Sequence, residues 1–263
     1  MFDDLRGRSA LVTGSTSGIG LHFAEALAGQ GVNVTLNGLG DEAQIERDRA
    51  RIENASGVTV RFDGANLMDG DACERLVKDA EDAHGGLDIL INNAGMQKVA
   101  PIDEFPPDAW DRILALNLTA VFRCTAAAIP GMRSRGFGRI VNTASAHGVV
   151  ASPFKAPYVS TKHAVLGFSK AVALETAEAG ITINSICPGY VKTPLVEGQI
   201  ADTAKARGMT EDEVKNEVIL KAQPTKKFVT YEQLSALLLY LASDAGASCT
   251  GASYLVDGGW TAA

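Results

Sequence analysis

The chain has 263 residues, 46% of them hydrophobic and only 6% aromatic, with 27 glycines, a balance suited to a close-packed α/β protein and not to a disordered or fibrous one. Its net charge of −7 comes without a basic cluster, which argues against nucleic acid or an anionic membrane as a partner. The four cysteines (Cys73, Cys124, Cys187, Cys249) and four histidines are scattered. That spacing argues against a disulfide framework or a metal site and for reduced thiols in a cytoplasmic protein. No apolar run is expected to span a bilayer. The opening MFDDLRGRSALVTG is acidic and leaves no room for a targeting peptide.

Ser9 to Thr13 reads as a short buried strand. It is followed by Gly14-Ser15-Thr16-Ser17-Gly18-Ile19-Gly20 and a helical pattern to about Gln30. A strand, a glycine turn and a helix form the context of a dinucleotide phosphate site. There Gly14 makes the turn, Gly18 admits the diphosphate, and Gly20 lets helix and strand approach. The free N–H groups of the helix meet the negative charge. The spacing is G-x-x-x-G-x-G, and an ordinary glycine turn would show the same residues; position and context favour the phosphate site.

A second strand, Val32 to Asn37, ends at Asn37-Gly38-Leu39, where such folds present an acid to the adenosine ribose. Here no acid and no cation stands at that end, and Ser15 and Thr16 are neutral. A 2′-phosphate would find no charged partner, so NAD is favoured over NADP. A third strand, Val58 to Phe62, leads to Ala65-Asn66-Leu67, placed to contact an adenine edge. The run from Leu87 to Gly95 is a buried strand ending in Asn92-Asn93-Ala94-Gly95 beside the expected crevice. The helix containing Ile113 to Phe122 is apolar nearly all round and is expected to be buried. Asn117 within it is either a structural amide on nearby backbone or a bridge to a proton-conducting water.

Arg139 to Lys170 follows. Ile140-Val141 opens as a strand, Ser145 stands at its end, and a helix after Pro153 and Pro157 carries Tyr158 and Lys162. Four residues apart, the phenol and the ammonium share one helical face. At roughly 4 Å and an effective dielectric of about 20 their attraction is about 4 kcal/mol, enough to lower the phenol by about three pKa units. Ser145 could hold the oxygen that exchanges the proton, so these are the parts of an alcohol–carbonyl interconversion. A chance Tyr-x-x-x-Lys on an exposed helix is common, and this pair gains weight only from the glycine turn and the Asn-Asn-Ala-Gly strand end. Ile181 to Cys187 is another buried strand, ending in Pro188-Gly189-Tyr190. Residues 194–224 form a polar, helical insert suited to a substrate lid. Tyr231 to Ser243 is a last helix, and Gly251 to Val256 a last strand. The alternation predicts a single doubly wound Rossmann domain over residues 1–263 with a seven-stranded parallel sheet.

On Thr13-Gly14-x-x-x-Gly18-Ile19-Gly20, Asn92-Asn93-Ala94-Gly95, Asn117, Ser145, Tyr158-x-x-x-Lys162 and Pro188-Gly189, the chain resembles the short-chain dehydrogenase/reductase family over essentially its whole length. The resemblance implies Tyr158 as general acid/base, Ser145 orienting the substrate oxygen, Lys162 lowering the Tyr158 pKa and binding the nicotinamide ribose, and Asn117 holding a relay water. It also implies cofactor contacts at Ser17, Asn93, Ala94, Gly95, Val191 and Thr193. An Asp is common in the family where this chain has Asn66, whose amide oxygen can still accept the adenine N–H.

Leu36-Asn-Gly-Leu-Gly40, Gly95-Met-Gln97, Ala144-Ser-Ala-His-Gly148, Lys155, Thr193 to Gln199 and Asp257-Gly-Gly-Trp260 are similar to the bacterial D-3-hydroxybutyrate dehydrogenases within that family. That resemblance implies a carboxylate held by Gln97, His147, Lys155 and Gln199, and a methyl group enclosed by Tyr190 and Trp260. It implies interconversion of D-3-hydroxybutyrate and acetoacetate by a homotetramer. Some members carry Trp in place of Tyr190. Competing readings are 3-oxoacyl thioester reduction or sugar-alcohol oxidation on the same scaffold, and a dinucleotide-binding sensor without turnover. The complete Asn117, Ser145, Tyr158 and Lys162 set argues against the sensor.

Overall fold

The computed structural model describes residues 2–262 other than 195, 199, 201–203 and 205–207. Seven strands are separated by helices: β1 (Ser9–Val12), β2 (Asn33–Asn37), β3 (Val60–Asp63), β4 (Ile89–Asn92), β5 (Gly138–Thr143), β6 (Ile181–Pro188) and β7 (Ser253–Val256). They form one parallel sheet in the order β3-β2-β1-β4-β5-β6-β7. Both β1 and β4 are apolar and buried along their length, as strands covered on both faces must be. The third strand starts two residues later than its apolar pattern suggests. Its approach is held by side chains, with Asn33 Oδ1 accepting the Thr59 N–H and Glu53 Oε1 the Val60 N–H.

Helices α1 (Gly18–Gly29), α2 (Glu42–Ser56), α3 (Gly70–His84), α4 (Pro107–Leu114), α5 (Ala120–Arg135), α6 (Ala156–Thr176) and α7 (Tyr231–Ala242) cover the sheet. On one face Phe23 and Leu27 of α1 and Leu234 and Leu238 of α7 pack on Val34, Ile89 and Ile186. On the other Leu76 of α3, Met132 of α5 and Val172 of α6 pack on Leu90, Ile140 and Ile183. Because every strand runs the same way, all carboxyl ends lie at one edge. The chain changes direction of progress between β1 and β4, which opens a crevice there.

Helix ends differ in a way that bears on the site. Asp41 caps α2 by accepting the Ala43 N–H, Asp69 caps α3 through Asp71, and Thr230 closes a capping box with Gln233 on α7. Ser17, before α1, makes no such bond. The orphan N–H groups of α1 are left for a ligand.

Two expectations are corrected. The apolar run from Ile113 to Phe122 is not buried all round. A π-helical turn, Ala115–Thr119, joins α4 to α5, and Phe122 on the outer face is 49% exposed. The joined helix Pro107–Arg135 is also long and apolar enough to cross a membrane by length and composition, with a mean hydropathy of 1.5 in its best window. Its inner face carries Ile113, Asn117, Val121, Cys124, Ala128 and Met132 into the protein, so its apolarity is that of a core helix.

The segment after β6 leaves and returns at one place. Val191 bridges Val229, and the Val229 N–H donates to Tyr190 O at 2.9 Å. Among its described residues, Val196, Ile200, Val214, Ile219 and Leu220 form an apolar cluster of their own, apart from the sheet core and flanked by Tyr190 and Phe228.

Candidate active site

The carboxyl edge opens onto a cavity of about 390 Å³ running from Gly38 and Asn66, past Gly18 and Ile19, to Ser145 and Tyr158. Backbone shape makes its floor. A Cβ on Gly20 would lie 2.3 Å from Gly14 O, so only hydrogen fits where α1 crosses β1. Asn93 fixes the glycine turn by donating from Nδ2 to Thr13 O and Gly14 O, at 3.1 and 3.0 Å, while its own N–H reaches Thr13 Oγ1. The cradle and the uncapped α1 N-terminus fit the diphosphate of a dinucleotide.

Several expected contacts behave differently from their sequence reading. Ser15 is fully buried, and its hydroxyl donates to Val12 O and accepts the Asn37 N–H. It staples β1 to β2 and does not line the cavity. The Asn37 side chain turns toward β3, donating to Asp63 O and Ala65 O, so the ribose end is shaped by Thr16, Gly38 and Leu39. Asn66 Oδ1 already accepts the Met68 N–H at 3.1 Å, which leaves one lone pair for an adenine. Leu67, Ala94, Gly95, Pro188, Gly189, Val191 and Thr193 all line the cavity.

Tyr158 and Lys162 face the cavity from α6, with Ser145 opposite, two residues past β5. The Lys162 ammonium lies 5.6 Å from the centroid of the Tyr158 ring and donates to Thr143 O at 2.6 Å. Burial pulls Lys162 down to about 8. The expected lowering of Tyr158 is not found. Burial pushes its phenol up, and the neighbouring Ser145 hydroxyl only partly reverses this. With the ammonium 5.6 Å from the ring centroid, desolvation outweighs attraction. Asn117 sits in the π turn. Its Oδ1 accepts the Met96 N–H at 2.8 Å and its Nδ2 donates to Met96 O at 2.9 Å. The amide thus holds the loop after β4.

Beyond Tyr158 a second set of side chains converges. His147 meets Tyr158 edge-on at 5.8 Å and Trp260 at 4.9 Å. Trp260 stacks on Tyr190 at 5.2 Å, and the Lys155 ammonium stands 5.6 Å over the Tyr190 ring. Asp257 fixes the terminal turn by accepting N–H groups from Gly259 and Thr261. His147 is buried, its Nε2 2.9 Å from Ser152 Oγ. Burial, and then the Lys155 charge, bring it down to about 4, so it is neutral. Lys155 is 8% exposed, and burial alone moves it down to about 8, with no carboxylate among the described residues to offset this. Gln97 Nε2 is buried without a partner. Gln199 lies outside the described residues.

Sequence reasoning missed three participants. Thr143 O anchors Lys162, and no side-chain motif signals a backbone carbonyl. Ser152 orients His147 and carries no motif either. Leu116, within the π turn, also lines the cavity, and a helical pattern does not single it out.

The short chain dehydrogenase family model matches residues 8–204. The chain is 52% identical over 255 residues to a D-beta-hydroxybutyrate dehydrogenase of Rhizobium meliloti (strain 1021), covering 97% of this chain and 99% of the relative. It is 48% identical over 259 residues to the enzyme of the same name from Cupriavidus necator, covering 98% and 99%. A crystal structure from Sinorhizobium meliloti 1021, described as of the short-chain alcohol dehydrogenase type, superposes with a TM-score of 0.90 at 34% identity over all of both chains. With the sheet order, the glycine cradle and the Ser145–Tyr158–Lys162 grouping in place, these matches show that the chain is an oxidoreductase belonging to the short chain dehydrogenase family.

Proposed function

We propose that this enzyme interconverts D-3-hydroxybutyrate and acetoacetate with NAD as hydride carrier. One observation carries the substrate assignment: Lys155 is buried with no anion beside it among the described residues, and Gln97 Nε2, on the loop tied to the Lys155 loop through Ala100 and Phe154, is buried without a partner. An unpaired buried charge is costly, and a substrate carboxylate would satisfy it. A thioester or a sugar would leave it unpaired. The name shared by the two relatives supports the same reading.

When bound, the nicotinamide accepts or supplies the hydride. Tyr158 takes the proton from the alcohol oxygen in oxidation and returns it to the carbonyl oxygen in reduction. Its raised pKa keeps it protonated at neutral pH, the form that reduction needs, so oxidation should gain as pH rises. Ser145 orients the reacting oxygen. Lys162, held by Thr143 O, offers its remaining donors to the ribose. His147, Lys155 and Gln97, with Gln199, hold the carboxylate, and Tyr190 and Trp260 enclose the methyl group. Asn117 serves by holding the Met96 loop, and its place in a π turn suits a relay water at the freed backbone.

NAD is favoured because Thr16, Gly38 and Leu39 bring no cation to a 2′-phosphate. We infer a single catalytic domain with residues 194–224 as its lid. A homotetramer, as the resemblance implies, would have the exposed apolar side chains Phe122 and Leu174 on α5 and α6 available to cover. A reducing, cytoplasmic setting suits the four free thiols. The test follows NADH absorbance with D- and L-3-hydroxybutyrate, 2-butanol and both cofactors. Efficient turnover of the D acid with NAD is expected; preference for 2-butanol, or equal use of NADP, would contradict the assignment.

A further inference from the structure

We propose that Phe154 is a positioning residue: its left-handed backbone, tied through its carbonyl to the Ala100 N–H, sets the distance between the Gln97 and Lys155 donors that grip the substrate. This rests on the carboxylate reading above.

Phe154 has φ +67°, and only Lys226 shares a positive φ among the described non-glycine residues. A bulky aromatic residue is disfavoured there, and such conformations persist where their surroundings over-determine them, most often at functional sites. Core packing does not explain this one, since Phe154 is 50% exposed. Its backbone, however, is occupied on both sides. The carbonyl accepts the Ala100 N–H at 3.0 Å, and the next residue is Lys155, the buried N-cap of α6. Two residues earlier, Ser152 bonds His147. The Ala100 side of the tie belongs to the loop that carries Gln97, three residues away, and that Asn117 anchors at Met96.

The two loops follow different strands, β4 and β5; one carries the unpartnered Gln97 Nε2, and the other carries Lys155, buried with no anion beside it among the described residues. A left-handed turn at 154 redirects the chain so that its carbonyl meets one loop while the next side chain enters the site. Any residue that cannot hold positive φ would rotate both. The ring itself has no part in this, so glycine, which adopts that φ freely, should substitute.

The experiment compares Phe154→Gly, Phe154→Val and Ala100→Pro as full-length enzymes. Steady-state kinetics on D-3-hydroxybutyrate and 2-butanol are combined with NADH binding by fluorescence. Phe154→Gly should keep the wild-type KM for the acid. Phe154→Val, whose branched Cβ excludes the turn, and Ala100→Pro, which lacks the N–H, should raise that KM by about tenfold, while NADH affinity and kinetics on 2-butanol stay within twofold. A Phe154→Val or Ala100→Pro enzyme that binds NADH normally and keeps wild-type KM for the acid overturns the inference. So does a Phe154→Gly enzyme as impaired as Phe154→Val, because the ring would then be responsible. Ala100→Pro decides alone if the valine variant does not fold. A wild type that prefers 2-butanol removes the carboxylate reading itself, an outcome visible before any variant is made.

Discussion

The two ends of the active-site cleft are built by opposite means. At the cofactor end the walls are largely backbone, and most polar side chains bond within the chain, although Asn37 Oδ1 is buried without a partner. Asn93 holds the glycine turn, Ser15 joins two strands, and the Asn37 amide hydrogens reach β3. At the substrate end the side chains are buried and waiting. Among the described residues, Lys155 lacks an anion and Gln97 Nε2 lacks an acceptor. The first end is a largely preformed shape whose ligand meets the free N–H groups of α1 and the remaining lone pair of Asn66 Oδ1. The second carries an electrostatic cost until a ligand arrives, which makes it the part of the cleft that selects.

The largest effect tests what the two ends share. Tyr158→Phe keeps the ring but removes the proton carrier, and kcat should fall by about 10²–10⁴-fold with NADH binding nearly unchanged. Substantial residual turnover would mean that another group moves the proton.

The cost at the substrate end can be measured in its own right. Lys155 stands at about 8 in the folded protein against 10.5 as the ordinary value. The unfolded chain therefore holds the proton more tightly, and stability should rise with pH between about 8 and 10.5. Below that window the full penalty applies, of order 3 kcal/mol. Lys155→Met should accordingly raise the ligand-free Tm at pH 7, with the gain shrinking as pH climbs toward 10.5. A thermal melt across that range is the check, and an unchanged or lowered Tm at pH 7 would show that the ammonium is compensated.

The cofactor end should respond in the opposite sense. Gly20→Ala drives a Cβ to 2.3 Å from Gly14 O, and the helix must move. A loss of about 1–3 kcal/mol in stability is expected, together with weaker NADH binding. Calorimetry and fluorescence titration read both, and a variant matching wild type would mean that the cradle is looser than described. The smallest effect concerns cofactor choice. Leu39 is 61% exposed, so Leu39→Arg should improve kcat/KM with NADP by about tenfold. Position 38 is unsuitable for the same change, since its Cβ would lie 2.8 Å from Thr16. No gain from Leu39→Arg would place the 2′-position elsewhere.

What could be read from sequence was whatever depends on neighbours along the chain. Apolar runs marked the strands, and their alternation with helices marked a parallel sheet. The glycine turn and the Tyr158–Lys162 step are local spacings, and both face the cleft. What escaped depends on distant packing. The lowering expected for Tyr158 treated attraction alone, whereas burial by residues far apart in sequence reversed its sign. The turn at Phe154 carries no glycine to announce it. The π turn around Asn117 looks like ordinary helix in the pattern of side chains. The inward rotation of Asn37 follows from carbonyls on β3 and the loop beyond it.

The central claim is that Lys155, buried with no anion beside it among the described residues, selects an acid. Its most direct test compares kcat/KM of the wild type and Lys155→Ala on D-3-hydroxybutyrate and on 2-butanol. A charged hydrogen bond contributes about 1.5–3 kcal/mol, so the variant should lose roughly tenfold to a few hundredfold on the acid. On the neutral alcohol it should match the wild type within twofold. A Lys155→Ala enzyme that handles the acid as the wild type does, or that loses both substrates equally, would contradict the account.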